Sequence, residues 1–274
     1  MIYYITIHHN TDKFINLQAS YIKKYTPSTV SDYKVYCGFS GISKCTGSEE
    51  NFIKHSFVNL TNVNRQHWFR MNYLFDKIKE EETFDDEDLL VFMDGDAFPI
   101  DYWESKIRKS LETHKAVAVE RREDIEPLLD EKWKPYPHPL FFATKAKFWL
   151  ENNLKWGLNE SIGAQTAGNL LKKWFQEHDY SYAPLLRSNV MNIHPLFFGV
   201  YGDIVYHHGS SSGNKIVYGS SDIWLRPSLA EKHGVGLDIH VPLIPQFNGA
   251  ISTLVLQTIL QVPEFIRIFF LGKE

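Results

Sequence analysis

Cysteine is nearly missing from this chain. Cys37 and Cys45 are the only two in 274 residues. Their spacing fits no metal-binding pattern and a single pair makes no disulfide framework, so a reducing compartment is the expectation. Positive charge is in slight deficit as well: 29 lysines and arginines against 33 aspartates and glutamates leave a net charge of −4. A chain with that balance has no basic field to hold nucleic acid, and any anionic ligand must be attracted by local chemistry. Long apolar runs are lacking too, with no window of roughly 18 uninterrupted apolar residues to make a transmembrane helix. The N-terminus, MIYYITIHHN, has neither a basic flank nor an apolar stretch of leader length. A cytoplasmic protein is therefore expected. The stretch to set against this is 237–274, where LVLQTIL and FIRIFF are apolar but broken by Gln257, Gln261, Pro263 and Glu264. That pattern excludes a span and permits peripheral contact with a membrane interface. Repeats and low-complexity tracts are absent.

What remains is an ordinary globular mixture, 43% hydrophobic and rich in aromatic residues at 15%. The length suits one large α/β domain, or one domain with an appendage. Ile2 to His8 is β-branched and aromatic and reads as a buried strand. Phe14, Leu17, Tyr21, Ile22 and Tyr25 then recur at helical spacing up to Pro27. YKVYCGF at 33–39 is a second strand. Trp68, Met71, Phe75 and Ile78 share one face of a helix across 64–79, and LLVFMD at 89–94 is a third strand. Asp101 and Glu104 form a capping-box pattern ahead of a helix striped by Trp103, Ile107 and Leu111. AVAVE at 116–120 is strand-like. The second half offers strands at PLFFAT (139–144) and from Asp203 through DIVYHHG, with a helix near 163–178. Strands alternating with helices predict an α/β fold: a doubly wound, mostly parallel central sheet with helices on both faces, plus a C-terminal extension over 216–274. Ligands of such sheets bind beyond the carboxyl ends of the strands.

The sequence LLVFMDGDAFPI (89–100) ends its apolar run on Asp94 and Asp96. In an extended segment residues i and i+2 point the same way, so the two carboxylates project together. They repel one another unless a divalent cation sits beside them, and hard oxygen donors suit Mg2+ or Mn2+. Gly95 takes away a side chain where a ligand needs close access to the backbone. A plain turn is the competing reading, since Asp and Gly are turn residues and Asp caps helices. Asp101 already reads as the cap of the next helix, which leaves the pair less needed for that purpose.

VFMDGDAF after a βαβαβ half, with VYHHG at 205–209, resembles the GT-A fold glycosyltransferases that carry an Asp-X-Asp motif and a histidine on a late strand. The resemblance covers about residues 1–215, with 1–120 as the nucleotide-binding half and 121–215 as the acceptor half. It implies a metal-dependent enzyme that moves a sugar from a nucleotide-sugar donor, most simply a UDP-sugar, to a hydroxyl of a glycan or glycoconjugate. Carried over, Asp94 meets the ribose or the metal, and Asp96 coordinates Mn2+ or Mg2+ on the diphosphate. The third ligand is His207 or His208, which lie on opposite faces of the presumed strand, so at most one faces the metal. Gly209, with Ser210, approaches the diphosphate. Thr6 and His8 lie where the base is held, Arg65 reaches phosphate from the start of its helix, and Arg70 reads as a solvated helix arginine. Glu160 is the candidate general base of an inverting enzyme, and Gln165 the nearby amide of a retaining one. Trp133, Tyr136, Trp149 and Trp156 offer a platform for a sugar ring, though core packing accounts for most of them. A metal would also bring an anionic donor to an acidic protein.

Two other classes fit in part. A haloacid-dehalogenase-like phosphatase would use Asp94 as nucleophile and Asp96 as acid or base. That motif usually opens its domain and continues with Gly and Thr, whereas Ala97 and Phe98 follow here. A non-catalytic sugar or nucleotide-binding module is the other.

Overall fold

The first strand, β1 (Ile2–His9), is buried over nearly all its length, as a strand covered on both faces must be. Ile2 and Tyr4 enter one apolar layer, and Tyr3, Ile5 and Ile7 the other. This computed structural model describes residues 1–10, 12–27, 31–43, 45, 47–120, 135–162, 167–188 and 199–208. Helix α1 (Lys13–Tyr25) adds Ile15 and Ile22 to the first layer. β2 (Tyr33–Ser40) and the mostly exposed edge strand β3 (His55–Asn59) follow. α2 (His67–Glu81) crosses to the opposite face and buries Met71, Leu74, Phe75 and Ile78 there. The chain continues through β4 (Leu89–Asp94), β5 (Ala97–Pro99), α3 (Glu104–Ser110), β6 (Ala116–Val119), β7 (His138–Lys145) and α4 (Ala146–Glu151). It ends, within the described residues, with α5 (Asn169–Glu177), β8 (Tyr182–Leu185), β9 (Gly199–Tyr201) and β10 (Val205–His207).

Seven strands form the central sheet in the order β3-β2-β1-β4-β7-β6-β8. The pairs β1–β2, β1–β4, β2–β3 and β6–β8 are parallel, and only β7 runs against its neighbours β4 and β6. The sheet is thus mostly parallel and covered on both faces, as expected. The chain steps from β1 outward to β3, then returns over α2 to lay β4 on the other side of β1. Right-handed crossovers in opposite directions place α1 and α2 on opposite faces. The carboxyl ends of β1 and β4 therefore flank the switch point of the sheet, the place where ligands of such sheets bind. A second, antiparallel sheet of order β5-β10-β9 stands beside it.

Several local expectations change. α2 begins at His67 rather than 64, because Asn64 Oδ1 accepts from the Gln66 backbone N–H and closes a turn first. Arg70 is not solvated: it is 3% exposed, with its guanidinium on Ser40 Oγ and on the carbonyls of Asn64, Leu60 and Val63. No capping box forms at α3, where Trp103 holds the cap position without a side-chain bond. Asp101 turns onto the Tyr102 N–H, and Glu104 pairs with Arg108 and Ser31. The helix near 163–178 is α5, and 163–166 lie outside the described residues. Trp149 and Trp156 belong to the core: their rings lie 4.6 and 5.4 Å from that of Phe92, so neither offers a face to a sugar. Tyr136 lies against His138, at 5.7 Å between rings. Trp133 and the extension 216–274 fall outside the described residues. Among the described residues no helix is long and apolar enough to cross a membrane.

Candidate metal centre

β4 ends at Asp94, Gly95 and Asp96 form a turn, and β5 starts at Ala97. The acids are thus brought together by a turn between two strands rather than by alternation along one strand. Their side chains are 19% and 8% exposed. β10 runs antiparallel to β5 with His207 opposite Ala97, which delivers a residue remote in sequence to the rim of the turn. His207 Nε2 lies 3.4 Å from Asp96 Oδ1 and 3.8 Å from Asp94 Oδ2. One donor atom from each of the three falls within 4.8 Å of the others. Among the described residues, His207 Nδ1 is buried without a hydrogen-bond partner, a costly condition for a polar atom withdrawn from water. Two carboxylates and an imidazole whose donor atoms converge in this way make a donor set that fits a divalent cation.

His208 faces away. Its ring packs 4.8 Å from that of Phe14, and its backbone N–H donates to Asp96 O at 3.0 Å. It fastens the turn from outside the donor set, so of the two adjacent histidines only His207 joins the acids.

Sequence reasoning overlooked His67. Because α2 leaves the sheet from the carboxyl end of β3, its first residue comes to the rim, and His67 Nε2 lies 3.2 Å from Asp94 Oδ1. Burial by itself would raise the Asp94 carboxyl. The charges of His67, His138 and His207 outweigh it and hold the group below its ordinary value. A carboxylate so held binds fewer protons folded than unfolded. It adds stability above the ordinary carboxylate range, and that stability is lost as pH falls through the lowered value. His67→Ala is expected to move the Asp94 titration upward in metal-free protein, read from side-chain carboxyl 13C shifts. An unmoved Asp94 would remove His67 from the electrostatics of the site.

Thr6 and His8 do not reach the rim. Even-numbered residues of β1 point toward α1, where Thr6 is 0% and His8 4% exposed. Thr6 Oγ1 donates to Gln18 Oε1 at 2.9 Å, and His8 Nε2 lies 3.1 Å from the same oxygen. Both side chains are thus spent under the turn, and the contact with a base expected of them is not available. His9, on the other face and only partly buried, sets Nδ1 2.7 Å from Ser40 Oγ.

Gly95 is also explained differently. A Cβ there would lie 2.3 Å from Ile7 O and 2.9 Å from His8 Nδ1, so it is β1, not a ligand, that requires a bare backbone. Gly95→Ala is expected to cost about 1–3 kcal/mol by overpacking, measured by urea denaturation. Unchanged stability would mean that β1 tolerates the added methyl. Arg65 is exposed two residues ahead of α2, and Glu160 is exposed at the head of the 3-10 turn Glu160–Ile162, well before α5. Gly209, Ser210 and Gln165 lie outside the described residues.

No protein-family model and no curated protein matches this chain. Solved structures do. The galactosyltransferase LgtC, in complex with donor and acceptor sugar analogues, aligns over 90% of this chain and 98% of its own, at 11% identity and a TM-score of 0.47. The mannosyltransferase PcManGT from Pyrobaculum calidifontis, in complex with GDP-Man and Mn2+, aligns over 98% and 82%, at 11% identity and 0.46. Both are glycosyltransferases. TarS of S. aureus, in complex with UDP-GlcNAc, aligns over 71% of this chain and 60% of its own, at 12% identity and 0.42. Of an active-site mutant of LgtC the chain spans 66%, just under two thirds. Such a likeness lies in the path of the backbone and assigns no role to any residue here.

Proposed function

We propose that this protein is a divalent-cation-dependent glycosyltransferase that moves a sugar from a nucleotide-sugar donor, a UDP-sugar in the first instance, to a hydroxyl of a glycan or glycoconjugate. The observation that carries the reading is the convergence of donor atoms from Asp94, Asp96 and His207 within 4.8 Å of one another at the switch point of a mostly parallel sheet. These three residues would hold Mn2+ or Mg2+, and the imidazole weights the set toward Mn2+. Such an ion, when bound, supplies Lewis-acid stabilisation to a departing diphosphate. The chain's own part is to keep the acids charged and close: three imidazoles hold Asp94 ionised, and the turn fixes Asp96 beside it. In this reading Arg65 meets donor phosphate, Gly209 gives the diphosphate access to the backbone, and Glu160 takes the acceptor proton. Glu160→Gln is then expected to slow transfer by about 10²–10⁴ with donor binding intact. Unchanged transfer would strike it from the mechanism.

The direct experiment is a thermal-shift panel of UDP, GDP, CDP and dTDP with and without Mn2+, followed by an assay for nucleoside diphosphate released from the matching sugar donor. One nucleotide should raise Tm only when Mn2+ is present, by the equivalent of about 2.7 kcal/mol at one hundred times its Kd. No metal-dependent shift in folded protein defeats the proposal. Cleavage of a generic phosphate ester through a phospho-aspartate would put a phosphatase in its place.

A further inference from the structure

We propose that Gln18, a residue of α1 outside any sequence motif, is the positioning residue that sets the Asp94–Ala97 turn and through it the spacing of the two carboxylates. This rests on the reading of Asp94, Asp96 and His207 as a cation site. Gln18 is 2% exposed and both ends of its amide are in use. Nε2 donates to Asp94 O at 2.9 Å and to Ala97 O at 2.6 Å, the carbonyls that open and close the turn. Oε1 accepts from Thr6 Oγ1 and faces His8 Nε2. The amide orientation follows from its surroundings, because an oxygen in place of Nε2 would confront two carbonyl acceptors. His8 Nε2 must then be the donor to Oε1, which makes His8 the neutral Nε2–H tautomer.

A turn that carries two acids has no tendency of its own to keep them together, since without a cation the carboxylates repel and the turn is driven open. The fork of Nε2 spans that turn, so it opens only by breaking one of two buried hydrogen bonds. At its other end the amide meets β1 through two separate partners, Thr6 and His8, so that loss of one leaves the fork held by the other, and β1 is registered against β4 with Ile7 opposite Asp94. Three elements thereby converge on one amide, and the geometry offered to the cation is preset rather than assembled on binding.

Mn2+ titration of metal-free protein, followed by the EPR signal of free Mn2+, tests this alongside melting curves. Gln18→Met keeps the length of the side chain and removes both donors. It is expected to weaken Mn2+ binding by about 10- to 100-fold, as loss of a supporting residue at a metal site does. Gln18→Glu keeps the acceptor for Thr6 and His8 but sets an oxygen against both carbonyls, and should weaken binding at least as much. Thr6→Val breaks a buried hydrogen bond to Oε1 while leaving the fork on the turn, so it should lower Tm and leave Mn2+ affinity within roughly threefold. Wild-type affinity in folded Gln18→Met overturns the proposal, and so does an affinity loss in Thr6→Val equal to that in Gln18→Met. If Gln18→Met does not fold, Gln18→Glu carries the same two outcomes. A wild-type protein that binds no Mn2+ removes the metal centre itself, and the role assigned to Gln18 goes with it.

Discussion

If the protein acts as proposed, an Asp96→Ala variant is expected to fold and to transfer sugar at least about a thousandfold more slowly than the parent, roughly 4 kcal/mol of lost transition-state stabilisation. The size follows from what the carboxylate would hold, since a cation on a departing diphosphate contributes several kcal/mol in charge stabilisation. That the fold survives follows from the surroundings of the side chain. Asp96 stands beside a second carboxylate and 3.4 Å from His207 Nε2, so its removal relieves a like-charge repulsion and gives up an ion pair in the metal-free protein. The His208 N–H next to β10 donates to the Asp96 backbone carbonyl at 3.0 Å, and alanine keeps that bond. The metal-free variant should remain folded, while the gain in Tm on adding Mn2+ and nucleotide disappears. The paired measurements are nucleoside diphosphate release and circular dichroism. Full activity in the alanine variant would take the acid pair out of the mechanism.

The protein will also lose stability as pH is lowered from 7 to 4. Burial drives the His8 pKa down to about 4, against weaker upward pulls from the Gln18 hydrogen bond and the Asp96 charge. His55 is likewise pushed to about 4 by burial, with the charge on His8 acting in the same direction. The unfolded chain takes up these protons near the ordinary histidine value and the folded one does not. Stability is therefore complete above that value, and it falls as pH drops from there toward the lowered one. For His8 the limiting loss is about 3 kcal/mol, and for the partly buried His55 it is smaller. His55→Phe provides the check. His55 Nδ1 has no hydrogen-bond partner, and the ring packs against Phe52 and Phe57, at 5.3 and 5.8 Å between centroids. The substitution should leave stability at pH 7 nearly unchanged and flatten the acid limb of a urea-denaturation series. An unaltered slope would show that His55 titrates normally.

The sheet was legible because its signals are local. β1, β2, β4 and β6 are continuous apolar runs, the pattern of strands covered on both faces, and α1 and α2 carry an apolar stripe at helical period. β3 and β8 escaped notice because they are short and largely exposed or half-buried. β5 was hidden by its closeness to β4, since two residues of turn do not interrupt the hydrophobic pattern of LLVFMDGDAFPI. Trp149 and Trp156 show the opposite failing, for an aromatic residue reads alike on a sugar platform and in a core until its neighbours are known.

The sequence alone determined the alternating α/β architecture, the burial of the central strands and the position of two acids at the end of one of them. These are properties of spacing along a single segment. The choice of His207 over His208, the arrival of His67 at Asp94, and the turn of Thr6 and His8 inward to Gln18 were decided only by tertiary structure. Period shows which residues share a face but not what stands across from it. Each of these contacts joins segments that the strand order, not the local chain, brings to the switch point between β1 and β4.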